Sequence, residues 1–435
     1  MRISGLFRRT FARGIHPSDN KATTKDREFI PMPTGARVYL PLSQHIGAPA
    51  VPLVVAGTEV KVGSLIGRAS GFVSNNVHSS VSGKVVGFEA RENAQGNKIT
   101  HIVIENDGKY EEELLPPLVD PTPEQIVERC KACGIAGMGG ATFPTHIKLT
   151  TKSKINTVII NGSECEPYIT TDDRLMRTKQ AELFSGFEFI RKALNAKDVK
   201  IGIEDNKPTA IKAMRSACPN ENYKVYALRA KYPQGGEKQL IYSIERKKVP
   251  NGGLPSDIGY IVLNISTAYA IYEACALGRA SHSRFMTVSG GGVKNPQNIY
   301  VRFGVPFSEI ADFLGYSYDI VKVISGGPMM GVSEANLNMV ASKGSSALLL
   351  LTHAEIREVT PTVCIKCRRC NRVCPINLMP MMTDMFVLMD DFTTAKKYHP
   401  TSCIECGCCA YVCPARRPLV QSQRLAKKII RERKL

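Results

Sequence analysis

Nine of the 14 cysteines lie beyond residue 360, and eight of those repeat one spacing. Cys364-x2-Cys367-x2-Cys370-x3-Cys374-Pro375 recurs as Cys403-x2-Cys406-x2-Cys409-x3-Cys413-Pro414. Three closely spaced thiolates wrap a loop around three corners of an iron–sulfur cubane. The fourth, followed by proline, points away to the neighbouring cubane. The pattern predicts two [4Fe–4S] clusters. One is expected on Cys364, Cys367, Cys370 and Cys413, the other on Cys403, Cys406, Cys409 and Cys374. Cys408 falls out of register and reads as a free thiol. Zinc is the competing reading, but structural zinc sites prefer two cysteine pairs split by a longer spacer.

Clusters take electrons one at a time, so two in series form a short wire with something at each end. Four polar or glycine-rich segments are candidates for a flavin site. The first is Gly134-Ile-Ala-Gly137-Met-Gly139-Gly140-Ala-Thr-Phe143-Pro-Thr-His-Ile-Lys148. Its glycines let backbone N–H groups approach a phosphate or flat ring, and Lys148 offers a positive charge to either. It is not the dinucleotide fingerprint, because Thr142 stands where glycine is expected and the loop follows a helix. A tight structural turn is the alternative. The second, Asn161-Gly-Ser163-Glu164-Cys-Glu166-Pro167, follows an apolar strand run, where open α/β sheets bind ligands. The third, Tyr232-Pro-Gln-Gly235-Gly236-Glu237, opens a helix whose N-terminus suits an anion. The fourth is Asn264, at another strand end.

The elements that must position these residues follow from pattern. A basic polar arm covers residues 1–29. Short alternating strands with glycine turns fill 30–115, as in Thr58-Glu-Val-Lys-Val-Gly63, and predict a small β sandwich or barrel. Leu115 to Pro123 is a proline-rich linker that starts a helix, with Thr122 as N-cap and Pro123 at its first position. From 120 to 282 apolar strands alternate with helices, which predicts a mostly parallel covered sheet. Strands and turns return over 285–335, around Gly290-Gly-Gly292 and Gly326-Gly-Pro328. Residues 355–435 read as helical and carry the cysteines. The fold class expected is multidomain α/β.

At 435 residues the chain is too long for one core, and its 43% apolar content argues against general disorder. The best apolar stretch, Tyr260 to Leu277, is interrupted by Asn264 and Glu273, so no membrane span is expected. The basic N-terminus lacks the apolar core of a secretory signal, and dense cysteines then read as metal binding in a reducing compartment. The net charge of +18 points to an acidic partner or membrane surface, or to compensation of anionic clusters. Nucleic acid is not expected, since no recognition motif is present. The basic tail from Leu425 reads as a solvated helix.

The Gly137-x-Gly-Gly-Ala-x-Phe-Pro-Thr-x-x-Lys148 segment, the run Asn161 to Pro167 and Gly236-Glu237 resemble the FMN- and NADH-binding subunit of respiratory complex I. With Gly14-Ile-His16-Pro17 and the doubled cysteine motif, nearly the whole chain resembles the C subunit of the Rnf electron-transport complex. That resemblance implies an N-terminal barrel-sandwich hybrid, an FMN-binding α/β domain, a soluble-ligand-binding β-grasp domain and a ferredoxin-like two-cluster domain. It implies FMN, NAD(H) and two [4Fe–4S] clusters. It also implies a peripheral subunit on the cytoplasmic face of the bacterial cell membrane. The membrane subunits of the complex and a ferredoxin-like iron–sulfur subunit would be its partners. Carried over by motif, Gly137, Gly139, Gly140, Lys148, Asn161, Ser163, Glu164, Gly236 and Asn264 would contact FMN. Phe143, Glu166 and Glu237 would face the nicotinamide nucleotide. Ser163 stands where complex I has an aspartate, and Leu254 where an aromatic is expected against adenine. The hairpin at Asn75-Asn76 lacks a modifiable lysine, so no swinging arm is expected. No acid–base residue is required, because a flavin exchanges electrons in pairs or singly. A cobalamin reductase of bacterial microcompartments shares this layout, and a non-enzymatic iron–sulfur scaffold is the second alternative.

Overall fold

A computed structural model describes residues 9–92, 96–356 and 360–435. The N-terminal strands form two small antiparallel sheets. One orders Arg37–Pro41, Lys98–Asn106, Gly83–Glu92 and Glu59–Val60, and the other Val51–Pro52, Leu65–Arg68 and Val77–His78. Val38, Leu40, Ile66, Val77, Ile102 and Ile104 are fully buried between them. Gly83 shows why the long hairpin needs glycine. Its φ is +145°, and a Cβ there would lie 1.9 Å from the Glu105 carbonyl oxygen.

The central sheet has four parallel strands in the order Tyr223–Leu228, Asp198–Glu204, Thr157–Gly162 and Tyr260–Asn264. Thr157–Gly162 and Tyr260–Asn264 are apolar runs buried almost throughout, as helix-covered parallel strands should be. The chain runs outward from Thr157–Gly162 through two strands, then returns to pair Tyr260–Asn264 on the other side. The direction of winding therefore reverses between Thr157–Gly162 and Tyr260–Asn264, the position where such sheets open a crevice at their C-terminal ends. The helix Pro123–Ala132 leads into this unit. Its Thr122 cap is a full capping box, with Gln125 N donating to Thr122 Oγ1 (3.4 Å) and Thr122 N to Gln125 Oε1 (2.8 Å).

A six-stranded mixed sheet follows, ordered Phe29–Pro31, Gln297–Arg302, Ser283–Ser289, Ala347–Thr352, Ile320–Ser325 and Val332–Glu334. It reaches beyond the 285–335 segment marked by glycine turns. Phe29–Pro31, expected to open the barrel, instead pairs in parallel with Asn298–Tyr300 as an edge strand, a position that tolerates proline. Ala347–Thr352 is buried along its whole length inside the sheet. Its unbroken Ala-Leu-Leu-Leu-Leu-Thr run has no alternation to announce a strand.

The C-terminal unit is helical, with Arg369–Val373, Pro380–Leu388, Phe392–Lys396, Cys408–Tyr411 and Leu419–Glu432. Among the described residues no helix is long and apolar enough to cross a membrane. Fully buried Lys343 joins the units, its Nζ donating to the carbonyls of Asn76 in the barrel and Gly134 in the glycine-rich segment, 2.7 Å each.

Candidate flavin and cluster sites

Asn161, one residue before the end of its strand, and Asn264, the last of its own, flank the reversal and are register partners across the sheet. Asn264 caps the helix Ile265–Ala276, accepting from Ser266 N at 2.9 Å, while its amide donates to Asp172 at 2.6 Å. Buried Asp172 also accepts from the Ser266 hydroxyl (2.7 Å), so Asn264 is held by two neighbours of fixed position. The Asn161 amide donates to Gly235 O (2.8 Å), and Gly235 N lies 3.3 Å from Cys165 Sγ. The second and third candidate segments are thereby drawn together.

The glycine-rich loop crosses above. Gly137 N donates to Phe143 O (2.9 Å), which closes the loop. Met138 N donates to Thr267 Oγ1 (2.9 Å), and Met138 O accepts from Arg284 (3.2 Å). A Cβ on Gly139 would lie 2.7 Å from Asn264, so glycine permits the loop to rest on the strand end. Gly140 is exposed and a Cβ there would meet nothing. Lys148 reaches Glu237 at 2.5 Å, tying the loop to the N-terminus of the helix Glu237–Glu245 that follows Gly236. Ser163 Oγ is buried and has no hydrogen-bond partner in the protein. An unpartnered hydroxyl, open space above Gly140 and a free helix N-terminus fit a polar, phosphate-bearing ligand such as FMN.

The two carboxylates of the second segment have partners within the protein. Glu164, expected at FMN, accepts from Asp172 N (2.6 Å) and Asp173 N (3.3 Å) at the start of the helix Thr171–Thr178. Burial pushes its pKa up, and Lys21, 3.8 Å away, opposes the shift. Glu166, expected at the nucleotide, accepts from Met329 N (3.0 Å) and from the Tyr232 hydroxyl (3.3 Å). Burial raises it to about 7. Leu254 is 64% exposed. Phe143 is half-buried in the loop.

The cysteines form two sets, and the sets cross between the two runs. Cys364, Cys367, Cys370 and Cys413 line one small space together with Met381 and Leu419. In the other set, burial first and then Cys406, Cys403 and Cys374 push the Cys409 thiol up, while Cys403, raised to about 11 by burial, faces Cys406 and Cys374. Cys374 thus belongs with the second run and Cys413 with the first, the grouping that alternating ligation requires. Among the described residues no three His, Cys, Asp or Glu side chains converge on a single point as one ion would need. The four thiols of the first set surround a space instead, which suits a cubane with a ligand at each corner.

The two sites touch. Tyr232, Ile15, Cys406 and Cys408 share one small apolar cluster, with Cys165, Met329 and Val373 packed against it. The Gly14–Pro17 element of the arm makes this junction. Ile15 N donates to Tyr232 O and Tyr232 N to Ile15 O, both at 2.9 Å, and Gly14 N donates to Val373 O at 3.0 Å. Sequence reasoning gave no structural role to Ile15, Lys21, Asp172 or Arg284. Their partners lie far along the chain, and no local signal marks them. The spacing gives no role to Cys130 or Cys133, which are buried.

A parallel sheet with a phosphate-ready crevice, joined to a two-cluster helical unit, defines an iron–sulfur flavoprotein. Three family models divide the chain accordingly: the RnfC barrel sandwich hybrid domain matches residues 9–109, the Nuo51 FMN-binding domain 130–273 and the 4Fe-4S dicluster domain 363–416. The chain is 43% identical over 427 residues to the C subunit of the proton-translocating ferredoxin:NAD+ oxidoreductase complex of Clostridium ljungdahlii, covering 96% of this chain and 93% of that one. It is 42% identical over 432 residues to the Na+-translocating counterpart of Acetobacterium woodii, covering 97% of each. A third relative, the C subunit of the ion-translocating oxidoreductase complex of Rhodobacter capsulatus, is 41% identical over 97% of this chain and 83% of its own length. The chain belongs to the family of C subunits of the Rnf ion-translocating ferredoxin:NAD+ oxidoreductase complexes. Among solved structures, an NAD+-reducing [NiFe]-hydrogenase is similar at a TM-score of 0.49 and 17% identity, over 72% of this chain and 61% of that one.

Proposed function

We propose that this chain is the peripheral, NAD(H)-facing subunit of an ion-translocating ferredoxin:NAD+ oxidoreductase complex. It works at the cytoplasmic face of the bacterial cell membrane, which it reaches through the membrane subunits of that complex. A ferredoxin-like iron–sulfur subunit is a further partner. FMN, when bound, supplies the exchange between a hydride and single electrons.

The residues divide the work. Asn161, Ser163, Asn264 and the backbone of Gly137 to Gly140 hold and orient the flavin. Lys148 and the helix start at Gly236 offer positive potential to its phosphate. Phe143 and Glu237 flank the side open to the nucleotide. Glu164 and Glu166 fix the turn that carries Ser163 and Cys165. Cys374, Cys403, Cys406 and Cys409 hold the inner cluster, and Cys364, Cys367, Cys370 and Cys413 the outer one. The observation that carries the reading is the packing of Cys165 and Tyr232, from the flavin crevice, against Cys406 and Cys408. This packing supports an inner cluster beside the flavin, with electrons leaving the crevice toward thiolates without crossing solvent.

The test is anaerobic purification of the chain, assay of FMN, iron and sulfide, and addition of NADH. Bound FMN, two cubanes and bleaching of the cluster absorbance by NADH are expected. A cluster-replete chain that retains no flavin would show a scaffold and end the proposal.

A further inference from the structure

The outer cluster has a face of its own. A cleft of about 510 Å³ runs between the helix Arg369–Val373 and the segment 411–416, lined by Arg369, Arg372, Tyr411, Cys413 and Arg416. Cys413 is an expected ligand of the outer cluster, so the cleft opens onto it. All three arginines are exposed. Among the described residues none of them has a carboxylate partner, whereas nearby Arg417 is paired with Asp384 at 2.9 Å. From Thr360 to Thr383 the chain carries Lys366, Arg368, Arg369 and Arg372 and no acidic residue. Arg13 joins the same face, donating to Asn371 O at 2.7 Å. Large apolar side chains stand among these charges: Val363 is 86% exposed, Ile365 66% and Tyr411 50%.

Positive charge left unpaired around a cluster edge, mixed with exposed apolar side chains, is the composition of a recognition surface. Guanidinium forks match carboxylates in two-point pairs, and a one-signed field steers an oppositely charged partner to the face. We propose that this arginine-lined face is the docking surface of an acidic redox protein that exchanges single electrons with the outer cluster. The inference rests on the reading above and names the surface at which electrons enter or leave. One electron leaves the cluster and reduces the partner's one-electron centre, or moves in reverse. No bond forms or breaks. A lipid headgroup could satisfy the same charges, but lipid cannot take an electron from the cluster that the cleft exposes.

The test uses membranes that contain the other subunits of the complex but lack this chain, and the purified chain carrying FMN and clusters. Rebinding is measured as ionic strength rises, for the natural sequence and for the triple variant Arg369→Glu/Arg372→Glu/Arg416→Glu. A control reverses charge at the end of the terminal helix and just beyond it instead, with Arg431→Glu/Lys434→Glu. The triple variant is expected to rebind at least about tenfold more weakly at low salt, the control to match the natural chain, and natural rebinding to fall with salt. Iron content and NADH-driven bleaching within the isolated chain should be the same in all three. If the triple variant loses its clusters, Arg372→Gln and Arg416→Gln are read singly, and the salt dependence of the natural chain stands as an independent measure. Unchanged rebinding of a cluster-replete variant overturns the proposal. So does retention by protein-free phosphatidylethanolamine–phosphatidylglycerol vesicles that the variant loses, because the face would then belong to lipid. Failure of NADH to bleach the natural chain is a separate result that strikes the functional reading and not the surface.

Discussion

The buried Cys408 thiol donates to the Tyr232 carbonyl at 4.0 Å and packs in one small cluster with Cys406. A polarisable thiol packed against a cluster ligand stabilises the extra negative charge of the reduced state better than a methyl group does, and so raises its potential. Cys408→Ala should lower the midpoint potential of the inner cluster and leave the outer one unmoved. A redox titration followed by electron paramagnetic resonance checks this, and an unshifted or raised inner potential refutes it. Cys413→Ser makes the complementary test of ligation. Although Cys413 lies in the second run, its loss should damage the outer cluster, and NADH should still reduce the inner one. Damage to the inner signal would mean that the runs do not exchange ligands. The cysteine grouping was legible because it is set by local spacing. The partners of Glu164 and Glu166 within the protein were not, since a motif marks a residue but not the direction of its side chain. Glu164 turns to amides eight and nine residues on and Glu166 to one 163 residues on.

At the scale of elements, the crevice depends on a loop lying flat over two strand ends. Strand and helix alternation made the parallel sheet readable, and the Thr122 cap fixed where its first helix starts. The reversal of strand order could not be read from pattern, because pattern marks which segments are strands and not which of them pair. Gly139 and Gly140 separate packing from ligand contact. A Cβ on Gly139 collides with Asn264, so Gly139→Ala should displace the loop, lower the melting temperature and reduce FMN retention. The cost falls in the range of about 1–3 kcal/mol for overpacking. A Cβ on Gly140 meets only open space. Gly140→Ala should therefore leave the melting temperature of the flavin-free chain unchanged and still weaken FMN binding. Fluorimetric titration with FMN, run beside thermal unfolding of both variants, distinguishes the two. Equal behaviour of the two variants would show that the loop does not face the flavin.

Electron transfer across the molecule needs a fixed spacing of its flavin and cluster units, and the N-terminal arm ties the two together. From pattern alone the arm read as basic and polar, with Gly14-Ile-His16-Pro17 marked only by resemblance, because its role arises from contacts more than 200 residues away. Ile15 pairs with Tyr232 through two backbone hydrogen bonds, and Gly14 with Val373 in the cluster unit. Ile15 itself is buried between the units, 5% exposed. Ile15→Pro removes the N–H donated to Tyr232 and leaves both binding sites untouched. FMN, iron and sulfide content should stay at natural levels, and NADH should reduce the flavin at its natural rate. Transfer onward to the inner cluster should slow, because electron transfer weakens with each increment of distance between the units. Stopped-flow absorbance resolves the steps, since flavin bleaching would then run ahead of cluster bleaching. If both phases keep their natural rates, the arm does not set the spacing, and the packing of Tyr232 and Cys165 on Cys406 and Cys408 must hold the units by itself.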